Sequence, residues 1–597
     1  MVDKLSTEFL FVEPPTIRFT DHPQHCADCA RPVKVLKTTK RDVATLHIGR
    51  FKAVETIATC EGCKCTYRSQ ELAELVAPGC NFGYDVLVHV GRALFLRHRR
   101  SQEISTELAT RNVHISPSEV EYLAKKFIVY LTIAHRQAAP TIKQAMRAKG
   151  GYILHLDATC GGKEPLLMSS LDSISQIVLG NVKLPSEKAQ TIIPFLEHIK
   201  QLFGEPIASV HDMGAGIINA VAEVFPDKPD FICHYHFLAD VGKDLLESDY
   251  DAIRKRLRKH GITSKLRDQA RKLRVIIDQH PQLIDDFRRR LEHQTAGDSS
   301  LELIPAISAY GLILWALDGK NQGRGYGFPF DRPHVLFAQR LRSVYLQLQE
   351  IKQVRLRGQW RDNRPLYKLS NQLEAVFRDK TLQRALTHIE PEIQTFDELR
   401  AAMRIAPQSG SQGLNCDGVD MDIKTIEHNV RSFRQRLADR QQSADTRDYQ
   451  EMIDQIDKYW KKLFADPILV DTPHGQVAIQ PQRTNNVMER FFRDFKTGLR
   501  RKTGQNRMSK TFQAMLAETP LVKNLENEAY VEILLDGKPS LEARFAKVDT
   551  QAVRKQLNHA GESLEKIPAA IRKIIAQSQL PQTIANIFCN SRPVATT

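Results

Sequence analysis

The chain has 597 residues, 42% of them hydrophobic, with 85 Lys and Arg against 70 Asp and Glu, a formal net charge of +15. That length leaves room for roughly four domains at about 150 residues each, and the positive excess points to a polyanionic partner, most simply nucleic acid. The most apolar stretch, residues 304–319, is too short and too mixed to span a bilayer, which excludes a membrane-spanning class.

The first residues, "MVDKLSTEFLFVEPPT", place acids inside a short apolar stretch and lack a small-residue cleavage site, so no signal peptide is expected. Six of the ten cysteines fall within the first 80 residues. That crowding suggests metal ligation rather than disulfides in a reducing cytoplasm. "CADC" (Cys26, Cys29) and "CEGC" (Cys60, Cys63) can together supply a closed tetrahedral thiolate site for Zn²⁺. The β-branched stretch between them predicts short strands, hence a zinc ribbon. Cys65 competes with Cys63 as a ligand, because "CKC" offers both.

Residues 101–131 carry two helical stripes, Ile104 and Leu108, then Val120, Leu123, Phe127 and Leu131. Ser116 as N-cap, Pro117 at the first helical position and Glu119 closing a capping box mark the second start. Preceded by the basic "RHRR" (97–100), the pair suggests a helix-turn-helix DNA reader, with an ordinary helical hairpin as the competing description.

From Gly150 the period changes. "YILHLDA", "PLLMSSL" and "ISQIVLGNVKL" read as strands, "SEKAQTIIPFLEHIKQLF" as a helix, "EPIASVHD" as a strand, "GAGIINAVAEVF" as a helix and "DFICHYHF" as a short strand. This is the element order of the ribonuclease-H-like fold, in which the first and fourth strands are neighbours. Asp157 and Asp212 would then stand side by side at strand ends. Two carboxylates so close repel unless a cation lies between them, and hard oxygen ligands suit Mg²⁺ or Mn²⁺. A third acid is Glu489, in the first turn of an amphipathic helix within residues 483–507 that is crowded with Arg483, Arg490, Arg493, Lys496, Arg500, Arg501, Lys502 and Arg507. That density suits a phosphate backbone. Asn486 with Glu489 also fits a simple capping box, and Glu489 with Arg493 an i, i+4 pair. Asp466 and Asp471 are the other candidates for a third acid.

"LHLDATC", "VHDMGAGIINAVAEVFPDKPDFICHYHFLADVGKDLL" and "TNNVMERFFRDFKTGLRRKTG" together resemble a DDE transposase of a bacterial insertion sequence. The catalytic part is similar to Mutator-like transposases, and the N-terminal part to the zinc-ribbon and helix-turn-helix region of related enzymes. The resemblance covers most of residues 20–510. It implies Asp157, Asp212 and Glu489 as a catalytic, Mg²⁺-binding triad, with Cys233 and His236 of "CHYH" as a supporting pair. It also implies metal-dependent DNA cleavage and strand transfer, double-stranded DNA (element ends and target) as partner, and at least a homodimer at work. The basic residues of the third-acid helix, notably Arg493, Lys496, Arg500 and Arg501, are expected to bind DNA in the cytoplasm, on the nucleoid. A domesticated, inactive DNA-binding regulator and a nuclease without strand transfer are the rival readings.

The expected organisation is multidomain α/β. A zinc ribbon (1–80) and helix-turn-helix region (81–148) precede a ribonuclease-H-like core (149–247 and 481–525), interrupted by a long all-α insertion (248–480) and followed by a C-terminal tail (526–597). Within the insertion, residues 254–274 are intensely basic, and Trp315 is a candidate for stacking near a DNA end.

Overall fold

The computed structural model describes residues 13–160, 165–293, 303–354, 363–406, 422–441, 449–505, 508–562 and 569–590. The protein is mixed α/β, with helices around several small sheets.

The first sheet is built on a long hairpin. β1 (Thr16–Phe19) pairs in parallel with β3 (Gly49–Cys60), which pairs antiparallel with β2 (Val33–Thr45) and with the short β4 (Thr66–Tyr67). The register sets Val33 opposite Cys60. The "CEGC" turn that follows β3 therefore lies beside the "CADC" turn that precedes β2.

Three helices follow, α1 (Tyr84–Phe95), α2 (Ser101–Ala109) and α3 (Pro117–Ala148). The Ser116 hydroxyl accepts from the Glu119 amide, and the Glu119 carboxylate accepts from the Ser116 amide at 3.0 Å, satisfying two orphan donors of the first turn. Ile104, Leu108, Val120, Leu123, Phe127 and Leu131 are all buried. At 32 residues α3 is about 48 Å long. It shares one core with the central sheet and with parts of the chain after residue 486.

The central sheet has the order β7-β6-β5-β8-β9. β5 (Ile153–Thr159), β6 (Leu166–Asp172) and β7 (Ile177–Leu184) form an antiparallel meander. After α4 (Ala189–Phe203), β8 (Ala208–His211) runs parallel to β5. After α5 (Ala215–Val224), β9 (Asp230–Ile232) runs parallel to β8. β9 is shorter than the expected "DFICHYHF" strand. Its pairing ends at Ile232 opposite His211, and Cys233 caps α6 (His234–Lys259), so His236 is helical.

Helices from α6 onward surround a second core that runs from Ile232 to Leu463, including α7 (Lys380–Met403) and α8 (Gln450–Leu463). The Ile304–Asp318 helix is followed by a loop before the next helix begins at Pro333. The insertion was expected to be all-α to residue 480, and that is corrected at its end. β10 (Ile468–Thr472) and β11 (Gly475–Ile479) form a hairpin. It turns at Gly475, which has φ 111°, and Val470 packs so closely on Gly150 that a Cβ there would sit 2.4 Å away. α9 (Asn486–Thr503) then returns to lie against β5.

The expected C-terminal tail is also corrected, because its first part is structural. Tyr530, Leu534, Leu541, Phe545 and Val553 are buried in the main core. The Tyr530 hydroxyl meets His135 Nδ1 of α3 at 2.9 Å. Asn524 brackets Val178 on β7, accepting from its amide at 2.7 Å and donating to its carbonyl at 2.8 Å.

Candidate functional site

The four cysteines Cys26, Cys29, Cys60 and Cys63 bring their sulfurs within 4.8 Å of one another. Cys26 and Cys63 are 3.4 Å apart, Cys29 and Cys60 3.3 Å. A tetrahedral zinc with bonds of about 2.3 Å separates its sulfurs by about 3.8 Å, so this donor set is compatible with a structural zinc ion. Each knuckle is wound the same way: the fourth residue after its first cysteine, Ala30 or Lys64, is left-handed, at φ 55° and 62°. The Tyr67 hydroxyl donates to Cys26 at 3.1 Å, the largest influence drawing that thiol down to about 6. Cys65 turns aside to donate to Asp28 at 3.3 Å, in a second group with Cys63.

The second site lies at the C-terminal edge of the central sheet. The parallel register of β5 and β8 ends with Leu156 opposite His211. The residues that follow this last pair are Asp157, still on β5, and Asp212, just past the end of β8. Asp157 is 9% exposed. Burial first, then the charge of Asp212, and more weakly those of Glu489 and Glu187, push its carboxyl up to about 8. Glu489 occupies the first turn of α9, where burial raises its carboxyl against the opposing pull of His236 and Arg493. His236 Nε2 stands 3.9 Å from Glu489 Oε1. The three expected acids are thus electrostatic neighbours, although 330 residues separate His155, beside the first acid, from Asn485, beside the third. Among the described residues only the cysteine groups gather three ligand atoms within 4.8 Å, so the acids form a wider cluster.

Asn485 locks this arrangement. It is fully buried, accepts from His155 Nδ1 at 2.9 Å, donates its amide to Leu156 O at 2.7 Å, and donates its backbone N–H to Cys233 Sγ at 3.2 Å. Burial pushes the Cys233 thiol up to about 12, so at neutral pH it is a protonated acceptor in the scaffold. His236, three residues on, faces Glu489.

Glu187 escaped the sequence reading. It is exposed on the turn before α4, and burial followed by the charge of Asp212 raises its carboxyl. The one visible signal was in "GAG": a Cβ on Gly216 would lie 1.7 Å from Glu187 O, so only glycine lets α5 approach that turn.

Arg493, Lys496 and Arg500 follow Glu489 at helical spacings of four, seven and eleven, on one stripe of α9. Arg493 and Arg500 are exposed. Lys496 is half-buried, which lowers its ammonium pKa, while Cys160 and Asp157 pull it back up. Arg501 lies round the helix near His98, whose imidazole pKa is lowered by burial first, then by Lys523 and Arg501. His98 packs onto Gly498, where a Cβ would be 2.2 Å from its ring. The basic residues 97–100 therefore meet the end of α9. Arg507 lies outside the described residues. Asp466 is exposed and paired with Lys424 at 2.5 Å, and Asp471 is exposed on β10. The basic stretch 254–274 is laced by its own acids, Arg254 to Asp251 at 2.9 Å and Lys272 to Asp268 at 3.2 Å among them. Trp315 is 46% exposed under the Arg340 guanidinium at 5.0 Å. No described helix is long and apolar enough to cross a membrane.

A comparison of the sequence with protein-family models finds no match, and a comparison with curated proteins finds none either.

Proposed function

We propose that this protein is a DDE-type transposase, binding the ends of an insertion sequence and cutting and rejoining DNA, with a ribonuclease-H-like core carrying the acids. The observation that carries the reading is the adjacency of Asp157 on β5 to Asp212 at the end of the parallel β8, with the Glu489 carboxylate close enough to raise Asp157 further. A mutually repelling, oxygen-only donor set at a strand edge fits Mg²⁺ or Mn²⁺. The width of the cluster suits two ions about 3.5–4 Å apart better than one.

Bound there, divalent ions supply Lewis acidity to both oxygens of an in-line displacement at phosphorus. The chain does the rest. Asp157 is mounted on a rigid buried strand. Asn485 ties that strand to the helix of Glu489, and His236 stands beside the Glu489 carboxylate. Arg493, Lys496 and Arg500 extend the same stripe and hold the phosphate backbone. The cysteine cluster with its zinc, together with α2 and α3, selects the element ends, and two copies act together because two ends must be cut. The protein works on DNA in the cytoplasm.

A regulator that binds without cutting draws on one observation, the breadth of the acid cluster. The test is a plasmid carrying candidate element ends, incubated with Mg²⁺ and wild type, Asp157→Ala, Asp212→Ala or Glu489→Ala. Nicking by wild type alone is expected. Wild type that binds the ends and never nicks them gives the regulator its case, and normal cutting by Glu489→Ala removes that residue from the triad.

A further inference from the structure

Behind the stripe of α9 that carries Glu489 lies a cavity of about 430 Å³. Its walls come from four parts of the chain: the β6–β7 turn with its flanking strands, the segment Gln482–Thr484, the face of α9 bearing Val487, Arg490 and Phe491, and the segment around Lys523. Arg490 follows Glu489 directly and points about 100° round the helix from it. The cavity and the acid cluster are therefore on adjoining faces of the same two helical turns.

Its charge is unbalanced. Arg483, half-buried, donates to the Met403 carbonyl at 2.8 Å, and desolvation, then the nearby Arg404, draws its guanidinium down to about 10. Among the described residues neither Arg483 nor Arg490 has a carboxylate partner within ion-pair distance. Lys523 is paired with Glu526 at 2.7 Å, and Asp494 is the one acid on the wall. A buried cation without a counter-charge is costly, and an entering anion relieves that cost. The guanidinium fork matches phosphate oxygens. Val178, Val487 and Phe491 add an apolar lining, and Gln176, Gln482 and Asn486 add amide donors and acceptors. The volume lies in the small-ligand range and is far too small for a base pair with both backbones.

We propose that this cavity holds a single unpaired nucleotide of a DNA strand, with its phosphate on Arg483 and Arg490 and its base against Val178, Val487 and Phe491. The inference rests on the DNA reading above and deepens it: the strand that passes Glu489 delivers its next, unpaired nucleotide round the helix. A free nucleotide has the same chemistry, so the experiment separates the two sources.

Binding is measured with the full, zinc-loaded chain in buffer free of Mg²⁺ and Mn²⁺, so that no cleavage is needed. The probes are inorganic phosphate, dAMP, a blunt duplex and the same duplex with a one-nucleotide overhang carrying 2-aminopurine. The overhang is expected to bind about tenfold more tightly than the blunt duplex, ~1.4 kcal/mol, with a change in 2-aminopurine fluorescence. Arg490→Ala, at an exposed position, and Val487→Phe, which fills the cavity, should each abolish that preference, and Val487→Phe should leave blunt-duplex binding within about twofold. Preference unchanged in Arg490→Ala overturns the proposal even if Val487→Phe misfolds. Phosphate competing as well as dAMP reduces the cavity to an anion site and overturns it as well. Binding of dAMP without preference for the overhang assigns the cavity to a free nucleotide and removes the strand. A protein that never nicks plasmid yet shows the overhang preference loses the transposase reading and keeps the cavity.

Discussion

The side-chain amide of Asn485 donates at 2.7 Å to the carbonyl oxygen of Leu156, the residue immediately before Asp157. The backbone carbonyl of Asn485 in turn accepts from the amides of Met488 and Glu489. One buried residue thus fixes the strand of the first acid against the helix of the third. Asn485→Ala leaves His155 and Leu156 O without these partners. It is expected to cost about 2–3 kcal/mol in denaturant unfolding and to shift the Mg²⁺ requirement for nicking upward. Asn485→Asp keeps the acceptor and loses the donor, so it should fall between the two. An Asn485→Ala protein with wild-type stability would show that the pin is dispensable.

Asp157 sets a pH dependence opposite to that of a salt-bridged acid. Its folded pKa is about 8 against an ordinary 3.8. Between those values the native chain holds a proton that the unfolded chain has lost, so stability falls as pH rises. Each unit of difference corresponds to about 1.4 kcal/mol. In buffer without added Mg²⁺ or Mn²⁺, wild type should therefore melt lower at pH 8 than at pH 6, and Asp157→Asn should flatten the slope. Parallel slopes for the two proteins would assign the effect elsewhere.

The cysteine cluster sits on small cores of its own, around Val33 and Ala58 and around Val43 and Phe51, apart from the core shared by α3, the central sheet and α9. Cys60→Ser should abolish bound zinc in elemental analysis and expose the β2–β3 hairpin to proteolysis. The main unfolding transition should move little, since stability is not uniform across a structure. Purified wild type without zinc, and with an equally resistant hairpin, would remove the metal from this region.

The basic stripe makes a salt-dependent prediction. Deleting one cation that neutralises a phosphate should reduce the slope of log K against log salt by about 0.9. Arg493→Ala and Arg500→Ala are each expected to do so for any DNA sequence, and Arg271→Ala, paired with Asp268 on the insertion, is not. Equal slopes across all three variants would disconnect α9 from the backbone.

What could be read beforehand followed element length. Asp157 was visible because a doubly buried strand of seven residues ends its apolar run on an acid, and Glu489 because an 18-residue helix shows its stripe. "DFICHYHF" misled because a short apolar run cannot separate strand from helix start. The C-terminal layer was illegible for the same reason: its helices Glu528–Leu535 and Leu541–Ala546 have eight and six residues, too few to display a period. The β10–β11 hairpin shows almost no burial alternation, its second strand being largely exposed. Glu187 carries no pattern at all. It enters the cluster because two chain segments cross at Gly216, and that crossing exists only in three dimensions.

The bracket of Asn524 on Val178 spans 346 residues. β7 is the outermost strand of its sheet, and this amide fills one rung of a ladder otherwise open to passing strands. During synthesis the sheet must wait, with that rim uncovered, until almost the whole polypeptide has left the ribosome. Pairings so distant form slowly and leave nascent intermediates prone to aggregate. A newly made copy therefore keeps that rim open until residue 524 arrives, and interrupted translation yields fragments that cannot complete the acid cluster.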